Sequence, residues 1–91
     1  MATNILDKRR KEGWRITLWC EELSVICQIS LPQNDSESFI EVAFSDFNTS
    51  LEFAKFVCKH DAEDVESAVI NITEFPTKPS DIIKRLVEVR Q

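Results

Sequence analysis

Glycine is nearly absent from this 91-residue chain, which has one, and proline is scarce, with three. One glycine cannot build a GxGxxG or Walker loop, so a phosphate cradle of that kind is excluded. Low Gly and Pro together with 43% hydrophobic residues exclude collagen-like and disordered chains, which lack the apolar content for a core. No apolar run approaches the roughly 18 residues of a transmembrane helix. Lys8, Arg9, Arg10 and Lys11 have no apolar stretch behind them, so no secretory signal is expected. His60 is the single histidine, which excludes a multi-histidine metal site.

Cysteine is sparse and odd in number. Cys20 and Cys27 are too far apart for a Cys-x2-4-Cys zinc knuckle, and Cys58 is remote from both. Reduced thiols and a cytoplasmic location are the expectation, with all three cysteines packed as small hydrophobes. Cys58 and His60, two apart on a helix, point in different directions and make no dyad. Asp61, Glu63, Asp64 and Glu66 lack the glycine and the spacing of a calcium loop. No catalytic constellation, metal site or cofactor is expected.

The length suits a single domain. Charge is uneven along it. Residues 1–15 hold five basic side chains against two acidic ones, a net of +3, whereas the remainder holds six against fourteen, a net of −8. Such a body repels polyanions and favours solubility or a basic partner.

Asn4 suits a helix cap, Asp7 the first turn and Gly13 the stop, predicting a basic helix over 4–12. Period-2 alternation then predicts strands over 14–20 and 23–31, with a turn at 21–24. The inward sets are Trp14, Ile16, Leu18 and Cys20 on the first strand, and Leu23, Val25, Cys27, Ile29 and Leu31 on the second. Matching them in an antiparallel pair requires opposed residue numbers to sum to 45, which puts Trp19 opposite Ile26, or to 47, which puts Cys20 opposite Cys27.

A polar loop over 32–38 precedes a third strand marked by Ile40, Val42 and Phe44. Thr49 to Glu52 has capping-box spacing and predicts the start of a second helix. The acidic stretch 61–66 reads as a connecting loop, 68–75 as a fourth strand, and Pro79 as the first turn of a last helix whose apolar side is Ile82, Ile83, Leu86 and Val89. The expected fold is α+β: an antiparallel sheet of about four strands, a three-strand meander plus one, packed by two or three helices in the order α-β-β-β-α-β-α.

Function is carried by surfaces in this reading. Trp19, Ile26 and Phe39 fall on the outward face of the sheet with Arg15, where polar residues are the rule. That face is expected to be covered by a terminal helix, to form a homodimer, or to bind another protein. Asp61, Glu63, Asp64 and Glu66 make a second, acidic surface, of the kind by which phage-encoded inhibitors occupy basic grooves of nucleic-acid-processing proteins. Lys8, Arg9, Arg10 and Lys11, beside Trp14, are the candidate contacts for the alternative, direct nucleic-acid binding. The expectation is a small acidic, non-catalytic inhibitor, immunity or adaptor protein, with anti-defence activity one version of that role, whose partner is another protein and not a membrane.

Overall fold

A computed structural model describes residues 4–32, 40–70 and 78–89, without the side chains of 69, 70 and 89. The first helix, α1 (Ile5–Lys11), begins where the Asn4 side-chain oxygen accepts the Leu6 N–H at 2.9 Å. It buries Leu6 and ends at Glu12. Gly13, at φ +106°, turns the chain into the sheet. A Cβ there would lie 3.3 Å from the Pro32 side chain, so conformation and space both favour glycine.

Strands β1 (Arg15–Glu21), β2 (Ser24–Ser30) and β3 (Ile40–Phe44) form an antiparallel sheet in the order β1-β2-β3. The β1–β2 register follows the sum of 45: Leu18 opposes Cys27 and Trp19 opposes Ile26. Across β2–β3, Ile26 opposes Ala43 and Cys27 opposes Val42. Glu22 adopts φ +55° in the β1–β2 turn, an uncommon conformation for a residue with a Cβ.

Two expectations about the hairpin fail. Leu23 belongs to the turn, not the strand, and is 95% exposed. Cys20 is exposed and opposes Val25, so it is not a core residue. The cause is the graded cover over β1: Trp14 and Ile16 are buried, Leu18 is half-buried, and the strand then runs out past the helices.

Helix α2 (Phe47–Cys58) starts earlier than the Thr49 capping box implied. Asp46 is its cap, accepting the Thr49 N–H at 2.8 Å and the Thr49 hydroxyl at 2.8 and 3.0 Å. Ser50, Phe53, Ala54, Val57 and Cys58 recur at helical spacing and lie buried on the inner face of the sheet with Ile16, Cys27, Ile29, Ile40 and Val42.

The acidic loop is instead helical: α3 (Ala62–Ile70) carries Glu63 and Asp64 in its first turn, where the helix dipole favours negative charge. It buries Val65 and Ala68, three residues apart, so 68–70 are helix and not strand; 71–75 of the expected fourth strand lie outside the described residues. Helix α4 (Pro79–Val89) has proline at its first position, as expected, and buries Ile82 and Leu86 completely. Each contributes roughly 1.5–3 kcal/mol by burial. The described architecture is therefore α+β, a three-strand antiparallel sheet with four helices, in the order α-β-β-β-α-α-α. Among the described residues no helix is long and apolar enough to cross a membrane.

Candidate functional site

The outer face of the sheet is set by strand alternation. Arg15, Thr17, Trp19 and Glu21 point outward from β1, Ser24, Ile26, Gln28 and Ser30 from β2, and Glu41 and Ala43 from β3. The described apolar side chains that the four helices bury join the cluster on the other side of the sheet. Arg15, Thr17 and Ala43 are exposed, while Trp19 and Ile26 are half-buried. The rung Trp19–Ile26–Ala43 is thus a continuous apolar bar across three strands.

Polar groups frame it. The Trp19 indole N–H donates to Glu21 Oε2 at 3.3 Å, which steadies the ring from the strand end. On the next rung, Gln28 Nε2 donates to Glu41 Oε1 at 3.0 Å between strands β2 and β3. The structure therefore brings Trp19 and Ile26 into direct opposition and keeps Arg15 two rungs away on the same face. Phe39 lies outside the described residues.

The basic segment is used differently from its sequence appearance. Arg9 is mostly covered; its guanidinium donates to the carbonyl oxygens of Cys58 (2.8 Å) and His60 (2.9 Å), pairs with Glu12 (2.8 Å) and lies 5.0 Å over the Trp14 ring. Arg10 donates to the Ile16 carbonyl through Nε (3.2 Å) and a terminal nitrogen (2.7 Å) and pairs with Asp7 (3.3 Å). Two of the four expected phosphate contacts are thus engaged with backbone carbonyls, and Lys8 and Lys11 are the exposed remainder. No sequence signal marks the Arg9 clamp, because its acceptors lie 49 and 51 residues away.

The acidic set spreads along the start of α3: Asp61, Glu63 and Glu66 are exposed and Asp64 is half-buried. Asp61 sits 3.9 Å from Arg9. His60 is buried, its Nδ1 2.9 Å from the Phe56 carbonyl and its ring 5.1 Å from that of Phe56. A carbonyl only accepts, so the proton resides on Nδ1.

Burial pushes the Cys27 thiol up to about 12, helped by neighbouring Cys58, and the Cys58 thiol up to about 11 against the pull of Arg9 and Arg10. Both are protonated at neutral pH and poor nucleophiles. The Ser50 hydroxyl faces the Cys27 sulfur but among the described residues has no partner that meets hydrogen-bond geometry. These polar groups belong to the core.

Comparisons with protein-family models, curated proteins and solved structures find no match.

Proposed function

We propose that this chain is a small acidic, non-catalytic protein-binding module, an inhibitor, immunity or adaptor protein that meets its partner through the outer face of its sheet. The observation that carries the reading is the Trp19–Ile26–Ala43 bar, on the face opposite the core cluster that the described helices join. A half-buried tryptophan gives a large apolar contact at little cost in side-chain freedom, and tryptophan and arginine are enriched among residues that dominate binding energy. Arg15, Glu21, Gln28 and Glu41 supply the polar rim such patches carry. The exposed carboxylates at the start of α3 form a second surface that favours a basic partner, including one that handles nucleic acid. Three unpaired thiols suit a reducing cytoplasm.

The test compares the tagged wild-type chain with Trp19→Ala in retention of partners from nuclease-treated native extract. A protein retained stoichiometrically by the wild type and lost at least tenfold by Trp19→Ala, at unchanged circular dichroism, is the expected result. Equal retention by both chains overturns the reading. A concentration-dependent dimer abolished by Trp19→Ala would make the partner a second copy of this chain. Nucleic-acid binding that weakens steeply with salt would instead favour direct contact through Lys8 and Lys11.

A further inference from the structure

A groove of about 470 Å³ opens on the helical side, opposite the Trp19 face, where α2 meets β3 and the start of α4. This volume is within the range of small-molecule sites, roughly 300–1,000 Å³. Its floor is aromatic and aliphatic: Phe44, Phe53 and Phe56, closed at one end by Pro79 and Ile83. Phe44 and Phe53 hold each other in a tilted pair, with centroids 5.3 Å apart. Ile83 is 39% exposed although its neighbour Ile82 is fully buried, so an apolar side chain of α4 is presented to the groove and not to the core.

The rim is charged, and its balance is specific. Lys55 on α2 and Lys59 at its C-cap, four residues apart and so on one side of the helix, both line the groove. Glu52 also lines it and lies 3.9 Å from the Lys55 ammonium. Among the described residues, two ammonium groups and one carboxylate leave one uncompensated positive charge beside an apolar floor, in a chain whose net charge is −5. That pattern is complementary to a hydrocarbon with a single negative charge at one end. A cationic head would instead meet the two lysines.

We propose that this groove binds an apolar monocarboxylate, such as a medium-chain fatty acid, with the chain over the three phenylalanines and the carboxylate at Lys59 and Lys55. The site does not depend on the sheet-face reading, since no groove residue belongs to that face.

Sodium decanoate, titrated below its micelle concentration and followed by amide chemical shifts of the full chain, tests this. Saturable shifts confined to the groove around Phe44, Phe53, Phe56 and Ile83 are expected. Lys59→Glu should bind about fivefold more weakly, the worth of a partly exposed ion pair. Ile83→Asp, at an already exposed position, should abolish saturation, and Trp19→Ala should leave binding unchanged. The wild type alone provides a second arm: decyltrimethylammonium should bind at least about fivefold more weakly than decanoate. Non-saturating shifts with decanoate, or equal binding of the cationic analogue, overturn the proposal.

Discussion

The guanidinium of Arg9 donates to the carbonyl of Cys58 at 2.8 Å, joining the amino-terminal helix to the last residue of α2. Carbonyls at a helix end have no intrahelical partner, and here an arginine from 49 residues earlier supplies one. The same fork reaches the carbonyl of His60, two residues beyond.

Arg9→Ala should therefore destabilise the chain by about 2–3 kcal/mol, because two charge-assisted hydrogen bonds disappear and their acceptors stay partly buried. Arg9→Lys should recover less than half, since one ammonium cannot reproduce the fork. Lys8→Ala, at an exposed position on the same helix, should change stability by no more than about 0.5 kcal/mol. Urea unfolding of the three variants checks the ranking; equal effects from Arg9→Ala and Lys8→Ala would remove the clamp from the account.

The thiols divide by burial. At pH 8 a maleimide should label Cys20 quickly, and Cys27 and Cys58 only as the chain unfolds, with native thiolate populations roughly a hundredfold or more below that of an ordinary thiol. Mass spectrometry of a labelling time course reads this directly. Fast labelling of all three thiols without denaturant would contradict the buried placement. The pH dependence follows. The folded state holds both buried thiols protonated, so their contribution to stability is complete below the unfolded value near 9 and falls as pH rises from there through about 11 and 12. Denaturant midpoints taken from pH 8 to 11 should decline, and a Cys27→Ala, Cys58→Ala chain should decline less steeply.

Ser50 carries a buried hydroxyl with no satisfactory partner among the described residues. Ser50→Ala removes that desolvated group and places a stronger helix former inside α2, so a gain of about 1 kcal/mol is expected. A loss of stability of similar size would show that the hydroxyl makes a real bond to the Cys27 sulfur.

The parts of the fold legible in the sequence were those with local signals. Alternation in β1 and β2 restricted the register to two choices, and the observed one sets Trp19 against Ile26, so the heart of the candidate face was readable. Pro79 and the Asn4 cap marked their helices correctly. The start of α2 was misplaced because Asp46 and Thr49 both have cap chemistry, three residues apart, and Asp46 holds the position. Helix α3 is hidden in the sequence because four carboxylates within six residues resemble a solvated loop, and that signal outweighs the three-residue spacing of Val65 and Ala68, which the fold buries. The clamp by Arg9 and the groove under α4 depend on residues far apart in sequence, which periodicity does not detect.

Arg10 has a consequence for solubility. Among the described residues strand β1 ends the sheet, and an end strand offers unpaired backbone groups to any other chain in solution. The fork of Arg10 on the Ile16 carbonyl occupies one of those groups near the start of the strand. Loss of that cover is expected to expose the strand edge, so Arg10→Ala should give light scattering that grows with time and concentration, and scattering equal to the wild type would remove this role. A positive charge that looks available for a partner is instead spent on the chain's own backbone.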